Sequence, residues 1–156
     1  MWVATTDGPG ALVERLCQAV NEHDIEALTS CFAPAYRNET PAHPARGFEG
    51  QGQVRRNWEQ IFAGVPDISA EVRWIADEVT AWSEWEMRGT RRDGSAHLMR
   101  GVVIFGVEGS KSTWARFYLE PVQEGGDDVD AAIRGAMVVS STSDPASAHD
   151  RSGLEG

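Results

Sequence analysis

Apolar residues recur at helical spacing in the first stretch of the chain. Between Asp7 and Asn21, Leu12, Val13, Leu16, Ala19 and Val20 fall on one stripe, which predicts an amphipathic helix. Asp7 can cap it, and Pro9 suits its first turn because a missing N–H costs nothing there. Asp24 can cap a second, shorter helix with Ile25, Leu28, Cys31 and Phe32 on one face, and Pro34 ends it. Tyr36 to Glu39 reads as a short strand, after which Pro41 and Pro44 oppose a continuing central strand. From Gly50 to Ala63 the helical period returns in Val54, Trp58, Ile61 and Phe62, closed by Gly64 and Pro66.

Beyond Ile68 the period falls to two. The runs 68–76, 78–88, 97–107 and 112–122 predict four strands, separated by the turn sequences RDGS and VEGSK. Three helices followed by an antiparallel meander predict an α+β fold, with helices covering one face of a curved sheet. One domain is expected over residues 1–123. Residues 124–139 could hold a short helix, and the apolar-poor segment 140–156 predicts disorder.

Composition narrows the partners. With 156 residues, 41% of them hydrophobic, the chain is long enough for a core without disulfides or metal. A net charge of -10 sets its field against nucleic acid and anionic membranes. No stretch approaches the roughly 20 apolar residues of a membrane span. Cys17 and Cys31 form no CxxC pair and no secretory h-region precedes them, which predicts a reduced cytoplasmic protein. No His, Cys and carboxylate set has zinc spacing, and no glycine-rich stretch joins a strand to a helix. Neither a metal nor another cofactor is expected.

The chemistry hinges on the run WSEWEMRG, Trp82 to Gly89, which alternates charge with large apolar groups. A two-residue turn at Asp93 and Gly94 would set Thr90 opposite His97, Arg88 opposite Met99 and Glu86 opposite Gly101. Glu84, Glu86, Arg88, His97 and Met99 would then share a face with Trp82. That face is either the solvated side of the sheet, or it lines a cavity walled by Trp58, Phe62, Trp82 and Met99. In a cavity, two carboxylates roughly 7 Å apart on one strand oppose each other's ionisation. A carboxyl kept protonated beside His97 would form a general acid and base pair, with Glu86 and His97 exchanging protons and Glu84 tuning them. On the last strand, a two-residue EG turn points Trp114, Arg116 and Tyr118 to the pocket, and a three-residue EGS loop points Ala115, Phe117 and Leu119 there.

The stretches FEGQGQVRRNWEQIFAGVPDI, WSEWEMRGT and RGVVIFGVEGSKSTWARFYLEPV, in that order after two helices, resemble the SnoaL-like branch of the nuclear transport factor 2-like cone fold. The resemblance spans roughly residues 10 to 122. It implies a cofactor-free cyclisation, isomerisation or hydration of a small, mostly apolar organic molecule. A noncatalytic ligand-binding or dimerising module, with Glu84, Glu86 and Arg88 in an internal salt-bridge network, is the alternative. Tyr36 and Asn38, in YRN, are similar to the Tyr-x-Asn pair that holds the attacking water in limonene epoxide hydrolases. Glu84 and Glu86 match that group's Arg-x-Asp positions, keeping the acid at Glu86. Phe117 stands where its water-activating aspartate would be. His97 falls on the strand that carries the SnoaL-like histidine. The expected substrate-binding set is Tyr36, Asn38, Trp58, Phe62, Trp82, Arg88, Met99 and Phe117. A homodimer through the convex sheet face, where Arg116, Tyr118 and Glu120 alternate, is also implied.

Overall fold

The computed structural model describes residues 8–138. Helix α1, Pro9–Glu22, buries Leu12, Val13, Leu16, Ala19 and Val20, the stripe read from the sequence. It stops at His23, whose left-handed backbone (φ 53°) lets its N–H reach the carbonyls of Ala19 and Val20. The His23 ring stacks on Phe62 at 5.0 Å and Nε2 donates to Ile68 O at 2.8 Å, so this residue ties α1 to the third helix and the sheet. Helix α2, Ile25–Ser30, is capped by Asp24, whose carboxylate accepts from Ala27 N.

Strand β1 runs over Phe32–Glu39, longer than the sequence suggested. Its ladder with the last strand is broken between Phe32 and Arg37. Pro34 lies in that gap, where a residue without an N–H is tolerated. A 3-10 turn at Pro44–Arg46 leads to the two-residue β2, Phe48–Glu49, and then to α3, Gln51–Gly64. Four strands follow: β3 Ser69–Ala76, β4 Thr80–Thr90, β5 Ala96–Glu108 and β6 Lys111–Pro121. The sheet order is β2-β1-β6-β5-β4-β3, antiparallel throughout except that β1 lies parallel to β6. The architecture is α+β, with the helices packed on a six-stranded mixed sheet. Residues 123–138 belong to a separate unit holding α4, Val129–Met137, which Asp128 caps. The segment 140–156 lies outside the described residues.

Register is where the expectation and the structure part. The β4–β5 turn is a three-residue loop, Arg92 to Gly94, closed by Arg91 N donating to Ser95 O. Gly94 takes φ +85°, and Asp93 accepts from both the N–H and the hydroxyl of Ser95. His97 therefore sits opposite Gly89, Met99 opposite Met87 and Gly101 opposite Trp85. A one-residue change in pairing transfers every β5 side chain to the other face. His97 and Met99 now join Trp85 and Met87 beneath the helices, while Trp82, Glu84, Glu86 and Arg88 point outward. Trp85 is only 2% exposed, whereas Trp82 is 54% exposed. At Gly101, β5 runs so close to β6 that a Cβ would lie 2.1 Å from Tyr118 O.

The last strand reaches the second of its two expected facings by another route. Glu108 pairs with Lys111 across a two-residue turn, and Thr113 is an extra residue between the pairs Val107–Ser112 and Gly106–Trp114. That bulge turns Ala115, Phe117 and Leu119 inward.

Candidate functional site

Between the inner sheet face, α3 and β1 lies a cavity of about 400 Å³. Its wall is apolar, built largely from Phe32, Phe48, Trp58, Met87, Met99 and Phe117, with Val54, Ile61, Ile68 and Leu119 completing it. Tyr36, Asn38 and Thr40 occupy alternate positions of β1 and the residue after it, so all three meet the cavity from one side. The Tyr36 hydroxyl donates to Asn38 Oδ1 at 2.8 Å, and Asn38 Nδ2 donates to Thr40 Oγ1 at 3.4 Å. Burial pushes the Tyr36 phenol well above its ordinary range, so it stays protonated and acts as a donor. One wall is thus a polar corner in an otherwise greasy chamber.

His97, Asn57 and Arg46 complete the lining, which contains no carboxylate. Burial, and then the Arg91 charge, lower the His97 pKa from its usual 6.5. At neutral pH the imidazole is uncharged, able to accept a proton through one nitrogen and donate through the other. Because folding lowers this pKa, the unfolded chain takes up the proton first as pH falls. The stability linked to His97 is complete above 6.5 and is lost as pH drops below it. His97→Gln is therefore expected to flatten the fall in stability just below that pH. An NMR titration of the imidazole should give a midpoint under 6.5, and a midpoint above it would contradict this environment.

The structure brings together Tyr36, Asn38, Trp58, His97, Met99 and Phe117 of the residues expected from sequence. It does not bring Phe62 to the cavity wall; that ring packs between His23 and Trp58 instead. Trp82, Glu84, Glu86 and Arg88 lie on the opposite face, because β4 and β5 pair one residue away from the expected alignment. There Glu84 accepts from Arg73 at 2.5 Å, and Glu86 is held by Arg88 and, at 2.8 Å, by Arg100. These glutamates border an open dent of about 660 Å³ that also includes Glu71. Glu84 and Glu86 are held by arginines on the face away from His97, so neither forms the acid and base pair with His97 that the sequence suggested. Of the expected network of Glu84, Glu86 and Arg88, the Glu86–Arg88 pair forms, but Glu84 is held by Arg73 instead, and all of these lie on the outer face. Leu119 lines the cavity as the second of the two expected facings of the last strand has it, whereas sequence reasoning missed Thr40, Arg46, Asn57 and Met87. Met87 was lost with the β4 facing; Arg46 and Asn57 carry no periodic signal.

Among the described residues, no group of three or more His, Cys, Asp or Glu side chains could hold a metal ion, and no helix is long and apolar enough to cross a membrane.

Comparison with known proteins supports the fold. No curated protein matches the sequence. Several solved structures do resemble it. The epoxide hydrolase/cyclase-like enzyme SalBIII, from pyran ring formation in the polyether salinomycin, aligns with TM-score 0.62 at 16% identity over 73% of this chain and 90% of its own. A protein with a ketosteroid isomerase-like fold from Catenulispora acidiphila DSM 44928, solved with trimethylamine, aligns at 0.59, with 15% identity over 70% and 86%. An NTF2-like protein from Exiguobacterium sp. 255-15 aligns at 0.59, with 18% identity over 72% and 99%. At such identities these likenesses establish the cone fold alone. The profile of the SnoaL-like domain matches residues 13–115. With that match spanning helices, β1 and the sheet, the chain belongs to the SnoaL-like domain family.

Proposed function

We propose that this domain binds a small, mostly apolar organic molecule in the inner cavity, with an oxygen of that molecule at the Tyr36–Asn38–Thr40 corner. The observation that carries the reading is the lining itself: an apolar chamber of about 400 Å³ with a few convergent polar groups on one side. A ligand carbonyl or hydroxyl there would use the second Asn38 N–H and the Thr40 hydroxyl. The test is a thermal-shift screen against lactones, enones, epoxides and polycyclic ketones. A ligand at one hundred times its Kd stabilises by about 2.7 kcal/mol, so binders raise the midpoint in a concentration-dependent way. Stabilisation by no compound in the panel would contradict the reading.

Proton transfer on the bound molecule is a second reading, favoured by a single observation. Among the described residues, His97 is the lining group suited to change protonation near neutral pH, and Tyr36 is held protonated. A cyclisation or isomerisation would then run through one histidine acting in turn as base and acid. Hydrolysis through a water-activating carboxylate has no support, because Phe117 occupies that place and Glu84 and Glu86 face away.

We also propose that the outer sheet face pairs two copies of the chain. Ile75, Trp82 and Tyr118 are exposed there at 75%, 54% and 43%, an apolar strip bordered by ion pairs that would suit a self-complementary interface.

A further inference from the structure

A second hollow, of about 540 Å³, opens beside the inner cavity and is lined by Asn57, Gln60, Val65, Arg91 and His97 among others. Asn57, Ile61 and His97 line both spaces, so the two meet at the His97 ring. Arg91 is the cation of this vestibule. Its guanidinium donates to Ala96 O at 2.6 Å and to Ser95 Oγ at 3.3 Å, both neutral, and makes no ion pair among the described residues. The neighbouring acids are occupied: Asp93 accepts from Ser95, and Asp67 accepts from Thr90 N at 2.7 Å. The negative end of α3 is answered by Arg92, whose Nε donates to Ala63 O at 2.6 Å.

In a chain of net charge -10, Arg37, Arg55, Arg73, Arg88, Arg100 and Arg116 each hold a carboxylate. Arg91, like Arg56, Arg92 and Lys111, donates to neutral groups, and of these four it is the one that lines the vestibule. Neither the chamber nor the vestibule is lined by any Asp or Glu. Burial first, and then the Arg91 charge, depress the His97 pKa, and the same guanidinium acts on the Asp93 carboxylate.

We infer that the natural ligand is an amphipathic carboxylate, whose apolar body fills the inner chamber and whose carboxylate reaches past His97 to the Arg91 guanidinium. The inference rests on the binding role proposed above and specifies its ligand class. A guanidinium offers paired donors that match a carboxylate, and Asn57 and Gln60 add neutral donors at the same mouth. Arg46, at the rim of the inner chamber, is the competing cation.

Calorimetric titration of the intact chain with octanoate, octanamide and methyl octanoate separates these possibilities. Octanoate is expected to bind about tenfold or more tighter than the amide or ester, the scale of one charge-assisted contact. Added salt should shrink that preference. Arg91→Gln should abolish it, so that octanoate binds no tighter than octanamide, and the preference should survive in Arg46→Gln. Equal binding of the three, or a preference lost in Arg46→Gln and kept in Arg91→Gln, overturns the inference. If none of the three binds while neutral lactones or ketones stabilise the chain, the carboxylate class is wrong and the cavity reading stands. If no compound of either panel binds, both fall.

Discussion

Trp85→Ala is expected to destabilise the domain by about 3–5 kcal/mol, the range for removing a buried large aromatic. Trp85 is 2% exposed. Its indole N–H donates to Ser83 Oγ at 2.8 Å, and that hydroxyl donates to Val103 O at 2.6 Å, inside the core. Truncation would leave a void under the helices and remove one of these bonds. Trp82, three residues away on the same strand, points outward. Trp82→Ala is expected to cost no more than about 1 kcal/mol at concentrations where the chain is monomeric, as surface truncations do. Urea unfolding of both variants measures the contrast. Equal losses, or a larger loss at Trp82, would reverse the faces of β4 and with them the placement of the site. If two copies pair through the outer face, Trp82→Ala would weaken their association, which sedimentation at several concentrations detects.

Much of this fold is legible in the chain, since helix stripes, Asp24, Pro34 and the period-two runs are all local signals. What is not legible is a single residue of loop length. RRDGS fits a two-residue turn as readily as the three-residue loop that forms. The choice is made by Asp93 binding Ser95 and by Gly94 adopting a positive φ. Because strand faces alternate, that one residue decides whether His97 shares a face with Glu86 or with Met87. Strand β4 gives no independent clue, as it carries Trp82 on one side and Trp85 on the other. The last strand has the opposite history: the inward facing of Phe117 is reached through a bulge at Thr113, which no turn pattern announces. The Tyr36 and Asn38 corner was readable because two polar residues at i and i+2 on a strand share a face. Arg46 and Asn57 reach the cavity through a 3-10 turn and a half-polar helix, where only the tertiary arrangement brings them in.

The same register yields the second large effect. Met99 lines the inner chamber from β5, and Met99→Trp would place an indole in the space a ligand needs. Overpacking of this kind costs roughly 1–3 kcal/mol of stability, which a 400 Å³ cavity should partly absorb, so the variant is expected to fold and to lose ligand binding. Glu84 and Glu86 predict the reverse. They form surface ion pairs with Arg73, Arg88 and Arg100, contacts that contribute up to about 1 kcal/mol each. Calorimetric affinity of the compound giving the largest thermal shift, measured for Met99→Trp and for the double variant Glu84→Gln/Glu86→Gln, tests the placement of the site most directly. Affinity lost in Met99→Trp and unchanged in the double variant is the expected result. Affinity kept in Met99→Trp and abolished in the double variant would contradict it and move the site to the outer face of the sheet.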